Sequence, residues 1–366
     1  MEEKKYTCDG CGNDFYASDL TSIENSYLCD DCLNRDTFTC RSCGERHWVE
    51  EAVDGDLCIG CYDDGYVRCS HCGNVISEDS AYYYDNDTYH DSPYCSDCFD
   101  NCVIHDYYYK PHPIFFGRGP LYFGVELEVD DGGESEEYAK EILSIANRHN
   151  EYMYIKHDGS LENGFECVTH PMTLEYHTNH VPWEEILETA VSLGYLSHCS
   201  DSCGMHVHIS RKALGNTYEE EEGTIAKILY FYEKFWDEIL KFSRRTEFQV
   251  QRWARRYGGG IINPKETLKH AKNSHMGRYA AVNLENDNTI EMRIFRGTLK
   301  YNTFIATLQM VDEICKVAIS LSDEFIQRMT WLDFVKQIPN DKYELITYLK
   351  ERLLYVNEPV TIEEEI

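Results

Sequence analysis

The sequence predicts an α+β chain, in which an antiparallel sheet with helices on one face follows three small zinc-binding units. Six Cys-x-x-Cys pairs occur at regular spacing within the first hundred residues. Beyond them, amphipathic helices intermix with short strands in which alternate residues are polar. Such strands are typical of an antiparallel sheet that packs one face on its core. At 366 residues the chain is long enough for two or three domains.

The cysteine pairs form a threefold repeat with a period near thirty residues. The two pairs of each unit are 17, 14 and 22 residues apart, and seven residues separate successive units. Four thiolates complete a tetrahedral zinc site, so we expect one structural Zn²⁺ per unit, about three in all. Disulfides or an iron–sulfur centre are the alternatives. The expected zinc ligands are Cys8, Cys11, Cys29 and Cys32, then Cys40, Cys43, Cys58 and Cys61, then Cys69, Cys72, Cys95 and Cys98.

A unit of roughly thirty residues is too small for a hydrophobic core, so bound metal must supply its folding energy, typically about 10–16 kcal/mol. A tight turn at the first pair and helix-compatible sequence after the second resemble treble-clef or zinc-ribbon units. The ligands are spaced differently from those of LIM and RING domains, which disfavours a ubiquitin ligase. Closed four-cysteine sites leave no coordination position for catalysis. We therefore expect this region to dock a protein.

The net charge of −31 limits the partners that the chain can bind. Residues 1–100 contain 6 Lys and Arg against 23 Asp and Glu, a difference of −17. Nucleic-acid binding needs cationic side chains, so this surface argues against nucleic acid and against anionic membranes. It fits solubility or a basic protein partner. Without an apolar run near twenty residues or a secretory signal at Met1, we expect no membrane segment and a cytoplasmic protein.

We expect the zinc-binding units in residues 1–103, a linker in 104–120, a larger domain in 121–320 and a helical extension in 321–366. The linker is predicted from its X-Pro steps, which favour extended backbone. Apolar residues at helical spacing predict six helices in the remainder. They cover residues 136–147, 183–193, 225–242, 304–321, 331–337 and 342–355.

Four predicted strands carry charged residues where buried strands carry aliphatic ones. They are Phe123–Val129, Gly164–Thr169, Gly204–Ile209 and Ile290–Phe295. Side chains two apart share a face, so the strands present Glu126 with Glu128, His206 with His208, and Glu291 with Arg293. Buried carboxylates need cationic partners. We therefore predict a chamber that binds metal ions and phosphate.

Basic residues are concentrated in one later segment. Residues 241–280 hold 10 of the 34 Lys and Arg and only two acids, and they include the glycine run 258–260, which we interpret as a hinge. Beside a wall of carboxylates, such a segment suits a nucleotide, because arginine stabilises a transferring phosphoryl group.

These motifs resemble those of a known family. Gly204 to Ser210 is similar to the Gly-Met-His-x-His-x-Ser strand of glutamine synthetases, and the Glu-x-Glu strand at Glu126 and the Glu-x-Arg strand at Glu291 have counterparts there. The whole set resembles the amidoligase family over about residues 120–310, in the same order. Its other motifs are His157-Asp-Gly-Ser-Leu, Glu166-x-x-Thr-x-Pro and Phe295-Arg-Gly-Thr.

The resemblance implies a glutamine synthetase-like fold in residues 121–320 and ATP-dependent joining of a carboxylate to an amine through an acyl phosphate. It implies Mg²⁺ or Mn²⁺ ions held by Glu126, Glu128, Glu166, His206 and Glu291, with His208 either a further ligand or a residue that orients His206. It implies that Arg278, Arg293 and Arg296 bind ATP or the acyl phosphate and act in catalysis. Asp158 would orient or deprotonate the amine.

The resemblance also bears on substrates and origin. No segment before Leu121 resembles the amino-terminal domain of glutamine synthetases, and zinc units stand in its place. We therefore expect a peptide or protein among the substrates rather than free glutamate and ammonia. Amidoligase-like domains are frequent in phage genomes, so a viral origin is as open as a cellular one.

Three other functions stay open at this stage. One is a non-catalytic adaptor whose second domain is a degenerate ligase, and another is a phosphotransferase with the related sheet of guanidino kinases. A zinc hydrolase using His206 and His208 is disfavoured because carboxylates outnumber histidines in the set. ATP binding and the nature of the product distinguish these functions.

Overall fold

A computed structural model describes residues 4–83, 92–258 and 263–356. The chain divides into two compact units, one up to Cys102 and one from Val103 onward. Two residues of the predicted hinge, Gly259 and Gly260, and residues 357–366 of the predicted extension lie outside the described residues.

The first unit is built from short antiparallel hairpins and three short helices. Its strands are β1 (Lys5–Thr7), β2 (Asp14–Tyr16), β3 (Leu20–Ile23), β4 (Ser26–Cys29), β5 (Thr37–Thr39), β6 (Arg46–Trp48), β7 (Tyr66–Arg68) and β8 (Val75–Ser77). Its helices are α1 (Asp30–Asp36), α2 (Ile59–Gly65) and α3 (Ser96–Asn101). Strands β1 and β2, β3 and β4, β5 and β6, and β7 and β8 pair with each other.

The same turn recurs at the first cysteine pair of each repeat. Gly12, Gly44 and Gly73 have φ of 75°, 73° and 73°, a left-handed conformation that glycine adopts without steric strain. Each glycine donates its N–H to the carbonyl oxygen of the cysteine four residues earlier, at 2.8 to 2.9 Å. The second pair of each repeat lies at the start of a helix. The sequence repeat is therefore also a structural repeat.

The second unit contains a mixed seven-stranded sheet and most of the helices. Its strands are β9 (Ile104–His105), β10 (Phe123–Val129), β11 (Met153–Lys156), β12 (Phe165–Thr169), β13 (Gly204–Ser210), β14 (Val282–Asn283) and β15 (Thr289–Arg296). Its helices are α4 (Glu136–Ala146), α5 (Leu174–Asn179), α6 (Trp183–Ser192), α7 (Tyr218–Lys234), α8 (Trp236–Ser243), α9 (Glu247–Trp253), α10 (Pro264–Asn273), α11 (Tyr301–Ser320), α12 (Asp323–Arg328), α13 (Trp331–Gln337) and α14 (Tyr343–Glu351).

The sheet has the strand order β14-β15-β13-β10-β12-β11-β9. All neighbours are antiparallel except β9, which pairs parallel with β11. The predicted α+β class is therefore confirmed, but the predicted purely antiparallel sheet is wrong at this edge. The difference arises because residues 104–105, inside the predicted linker, form a strand. The glutamine synthetase-like fold stays a prediction.

One face of the sheet packs into a large hydrophobic core. Phe123, Val125, Leu127 and Val129 of β10 are buried there with apolar residues of β13, β15 and the helices α4, α6, α7 and α11. The alternate residues of the same strands form the opposite face, which we call the polar face. The prediction of helices behind the sheet agrees with this core. No helix in the described part of the chain is long and apolar enough to cross a membrane.

The observed helices lie where the apolar spacing predicts them, with one major exception. The helix predicted over residues 225–242 is two helices, α7 and α8, which meet at Phe235 with φ −104° and ψ 35°. The sequence analysis missed α5, α9, α10 and α12, each of ten residues or fewer. Short helices of this kind present too few turns for a periodic signal.

The pH dependence of stability tests the burial of His177 in α5. Its side chain is fully buried, and its Nε2 lies 3.0 Å from the carbonyl oxygen of Phe123. Burial lowers the pKa of His177 to about 4. In the unfolded chain this imidazole has a pKa of about 6.5, so as the pH falls the unfolded state binds a proton at a higher pH than the folded state does. The free energy of unfolding therefore decreases as the pH drops below that value.

We expect the free energy of unfolding to fall by about 2 kcal/mol more in the wild type than in His177→Gln between about pH 7.5 and about pH 5. Glutamine keeps a donor for Phe123 but does not titrate in this range. Urea denaturation at the two pH values measures the difference. An equal loss in both proteins would contradict a neutral, buried His177.

Candidate functional site

The register of the central strands brings the predicted metal ligands together on the polar face. Glu126 of β10 lies opposite His206 of β13, and Glu128 lies opposite Glu166 of β12. On the other side of β13, His208 lies opposite Glu291 of β15. Six residues from four strands therefore share one surface. They are Glu126, Glu128, Glu166, His206, His208 and Glu291.

His206 lies at the centre of this group. Its Nδ1 is 3.3 Å from Glu126 Oε2 and 3.5 Å from Glu291 Oε1, and its Nε2 is 3.7 Å from Glu128 Oε1. The imidazole is buried, as are Glu128 and Glu291. Three carboxylates from two strands thus converge on a single ring.

His208 lies between two carboxylates. Its Nε2 is 3.0 Å from Glu126 Oε1 and 3.9 Å from Glu291 Oε1, and this buried nitrogen makes no well-directed hydrogen bond in the described residues. Its Nδ1 lies 3.2 Å from Thr289 Oγ1. Nitrogen and carboxylate oxygens at these separations fit a divalent cation, for which they are suitable ligands.

The charges on the polar face interact strongly. Burial alone would raise the pKa of Glu126, but His208 and His206 outweigh it and hold that pKa well below its usual range. Burial likewise opposes ionisation of Glu291, but His208 and Arg293 lower its pKa overall. For His208, burial lowers the pKa and the charges of Glu126 and Glu291 raise it, with a net increase.

Glu166 differs from the other carboxylates. Burial, followed by the negative charge of Glu126, raises its pKa well above the usual range, although Lys156 Nζ lies 3.8 Å from its Oε2. Lys156 lowers the pKa of this almost completely buried carboxyl group, but burial and the neighbouring acids outweigh that effect. The net effect favours the protonated form of Glu166.

A β-bulge determines which arginines reach the polar face. Val207 pairs with Met292, but Met205 pairs with Phe295, so β15 has one residue more than β13 between these pairs. As a result Phe295 returns to the core and Arg296 lies opposite Gly204. Arg293 donates a hydrogen bond from Nη1 to Glu291 Oε1. Both predicted arginines of this strand are therefore on the side of the carboxylates.

Arg245 is a site residue that the sequence analysis missed. It follows α8, is 5% exposed, and its Nε and Nη1 have no hydrogen-bond partner in the described residues. A Cβ at Gly204 would lie 2.6 Å from Arg245 Nη2 and 2.7 Å from His206 Nε2, so both groups pack over this glycine. Burial lowers the pKa of Arg245 to about 10.

The signal for Arg245 was present in the sequence, since Arg244 and Arg245 belong to the basic segment 241–280. Within that segment nothing distinguished them from the other eight basic residues. The absence of a carboxylate partner is visible only in three dimensions. A buried guanidinium of this kind is suited to an anionic ligand.

Asp158 lies at the end of β11 rather than within the cluster. Its Oδ1 accepts a hydrogen bond from Ser160 N at 2.6 Å, which fixes a turn. Its negative charge is close enough to Glu166 to contribute to the raised pKa of that residue. Asp158 is therefore at the margin of the polar face.

Arg278 lies apart from the carboxylates. It donates hydrogen bonds to the hydroxyl groups of Tyr107 and, at 3.3 Å, of Tyr279. Tyr107 follows β9 at one edge of the sheet and Arg278 precedes β14 at the other, and Lys156 of the polar face stacks on the Tyr107 ring at 5.4 Å. Segments from the two opposite edges of the sheet thus meet at Tyr107, next to Lys156 of the polar face.

The twelve predicted zinc ligands form three separate clusters, each with four sulfur atoms within 4.8 Å of one another. Cys29 N donates to Cys8 Sγ at 3.2 Å, and Cys58 N donates to Cys40 Sγ at 3.4 Å. These backbone bonds are the main reason that the pKa of Cys8 and that of Cys40 are lowered to about 6. Thiolates are the form that binds metal, so the three clusters could bind zinc.

Comparison with known proteins does not identify a family for this chain. Neither a protein-family model nor a curated protein matches the chain. Among solved structures, it is similar to the crystal structure of a bifunctional glutathione synthetase from Pasteurella multocida, at 15% identity and a TM-score of 0.33. The match covers 64% of this chain and 46% of that chain, so this chain spans less than half of that protein. A likeness this weak carries no weight for fold or function.

Metal analysis tests the cysteine clusters. We expect the purified chain to contain about three zinc ions by elemental analysis, because four sulfurs saturate each ion. Cys11→Ser removes one sulfur from the first cluster and should reduce the content by about one ion. Cys199→Ser, an exposed cysteine outside the clusters, is the matched control and should leave the content unchanged. A metal-free wild type would overturn the assignment.

A glycine substitution tests the packing over β13. Gly204→Ala places a Cβ within 2.7 Å of Arg245 and His206, so we expect it to lower the free energy of unfolding by about 1–3 kcal/mol. Gly124→Ala lies on the same face of β10, where the nearest atom would be His208 Cβ at 3.6 Å. This control should be neutral or slightly stabilising in urea denaturation. If both variants unfold at the same urea concentration, the close approach over Gly204 is not real.

Proposed function

We propose that this protein is an ATP- and Mg²⁺-dependent amidoligase, which joins a carboxylate to an amine through an acyl phosphate. The observation that carries the proposal is the convergence of four carboxylates and two imidazoles on one sheet face. Next to them lies the buried Arg245, whose Nε and Nη1 have no hydrogen-bond partner in the described residues. The family resemblance of the sequence motifs supports the same reaction. The chemistry explains why such a face is needed.

Carboxylates are poor acyl donors at neutral pH, so one oxygen must first become a good leaving group. In the first step a substrate carboxylate oxygen attacks the γ-phosphorus of ATP, an O–P bond forms and ADP leaves. In the second step the amine nitrogen attacks the acyl carbon, a C–N bond forms, and inorganic phosphate leaves. The amine proton is transferred to a base.

The acidic half of the polar face would hold the divalent ions. The proposed ligands are Glu126, Glu128, Glu166, His206 and Glu291. His208, whose Nε2 lies 3.0 Å from Glu126 Oε1, is proposed as a further ligand. When bound, Mg²⁺ or Mn²⁺ supplies positive charge to the phosphates of ATP. Asn283 donates a hydrogen bond to Glu291 Oε2 at 2.8 Å and keeps Oε1 directed toward His206.

The basic half would bind the transferred phosphoryl group. Arg245, Arg293 and Arg296 each have a buried Nε without a hydrogen-bond partner in the described residues. A planar guanidinium stabilises the charge that develops on phosphate oxygens. Arg278, which donates a hydrogen bond to Tyr107, would bind the phosphate from beside the polar face. Asp158, at the margin, is the proposed base for the amine.

The zinc-binding unit would serve the substrate rather than the reaction. Its clusters are closed four-sulfur sites, which leave no position for a reacting group. We propose that it docks a peptide or protein that carries the carboxylate or the amine. The proposed reaction therefore forms an amide or isopeptide bond.

Hydroxylamine provides a direct test of the acyl phosphate. With ATP, Mg²⁺ and a panel of carboxylates and peptides, we expect release of inorganic phosphate and formation of a hydroxamate, since hydroxylamine replaces the amine. Glu126→Gln and His206→Ala should each lower the rate by about 10²-fold or more. Each removes a proposed ligand of the divalent ions, whose positive charge stabilises the phosphates. Glu188→Gln, an exposed carboxylate on α6, should leave the rate unchanged.

Other outcomes select other functions. A stable phosphorylated product with no hydroxamate would indicate a phosphotransferase. No effect of ATP and Mg²⁺ on either turnover or melting temperature would indicate a binding protein without ligase activity. Full activity in both site variants would show that the reaction takes place elsewhere.

A further inference from the structure

A cavity lies beside residues 195–199, at the end of the sheet where Arg296 is located. Its volume is about 580 Å³, within the range of small-molecule sites. Val191, Leu196 and Leu299 line its apolar part, and Thr303 offers a hydroxyl group. None of the proposed metal ligands lines it.

Cations line the rest of this cavity. Arg244, Lys300 and Arg352 contribute side chains, together with His198. Lys300 is 3.3 Å from Glu351, but no carboxylate of the described residues lies within 4.0 Å of Arg244 or Arg352. Arg352 donates hydrogen bonds from Nε and Nη2 to the carbonyl oxygen of Lys241, at 3.0 and 2.7 Å, and its Nη1 has no hydrogen-bond partner among the described residues.

The contacts of Arg244 leave part of its guanidinium unused. Nη2 donates to the carbonyl oxygen of Arg296 at 2.8 Å, and Nη1 donates to His198 Nδ1 at 3.1 Å. Its Nε is buried and has no partner in the described residues. Burial, followed by the charges of Arg244, Arg296 and Arg352, lowers the pKa of His198, so the ring is a neutral acceptor. Glu351 lines the same cavity but pairs with Lys300, so the described residues give Arg244 and Arg352 no carboxylate partner.

The backbone at Arg244 supports a role for its side chain. The residue ends α8 with φ 65° and ψ 6°, a left-handed conformation that favours glycine. Glycine would form this helix end more easily than arginine does. A large cationic side chain at such a position is best explained by what the side chain binds.

We propose that this cavity is a binding site for a small organic anion, with Arg244 and Arg352 holding its carboxylate or phosphate group. Forked guanidinium donors suit both groups, and Val191, Leu196 and Leu299 would contact the apolar part of the ligand. The site is separate from the polar face, and the proposal does not depend on ligase activity. Arg244 and its neighbour Arg245 would then serve two different anions.

Calorimetric titration of the full chain with inorganic phosphate, at constant ionic strength, tests this site. Arg244→Gly should raise the dissociation constant for phosphate about tenfold or more, because it removes the guanidinium group while glycine accepts the left-handed backbone conformation. Arg352→Gln should also raise the dissociation constant. Arg328→Gln, which removes an exposed arginine of α12 that does not line this cavity, is the control and should leave the binding unchanged.

Three results would overturn the proposal. They are no phosphate binding by the wild type, unchanged binding in Arg244→Gly, and loss of binding in Arg245→Gln with retention in Arg244→Gly. The last would place the phosphate on the polar face. Circular dichroism of each variant distinguishes lost binding from lost folding. Succinate in place of phosphate shows whether carboxylates use the same site, because they should compete with phosphate for Arg244.

Discussion

Repulsion among four glutamates on one sheet face is the constraint on which the second unit depends. Strand pairing places these glutamates close together on the same face; they are Glu126, Glu128, Glu166 and Glu291. Bringing carboxylates out of water together is unfavourable unless cations accompany them. His206, His208, Arg293 and Lys156 supply part of that charge. The polar face therefore attracts further positive charge, and any metal-dependent function would rest on this attraction.

Much of this arrangement could be predicted from the sequence, for a specific reason. Alternation along a strand is a local property, so the pairs Glu126 with Glu128 and His206 with His208 were assigned to one face correctly. Which strands become neighbours is not local. The position of β9 beside β11, the missing partner of Arg245 and the contact of Arg278 with Tyr107 depend on residues far apart in the chain. Periodicity contains no information about such contacts.

The first unit was predictable for a different reason. Its fold follows from a few fixed residues in each repeat: two cysteines, a left-handed glycine, and a helix that begins at the second pair. Apolar packing contributes little, since the buried clusters of this unit contain only a few residues besides cysteine. Where metal ligands determine a structure, ligand spacing in the sequence is close to a full description of it. In the second unit, a large core determines the structure, and side-chain identity at any one position says less.

The extra residue in β15 has a consequence for how this chain tolerates change. Upstream of the bulge, odd-numbered positions from Glu291 to Arg293 face the carboxylates, whereas downstream the even-numbered Arg296 does. The alternation of side chains between the two faces therefore shifts by one residue at the bulge. Substituting Ile294 by another aliphatic residue preserves the bulge. Deleting it would remove the bulge and leave Arg293 opposite His206, with Phe295 still opposite Met205 and Arg296 still opposite Gly204. This stretch could therefore lose its extra residue without exchanging its two faces.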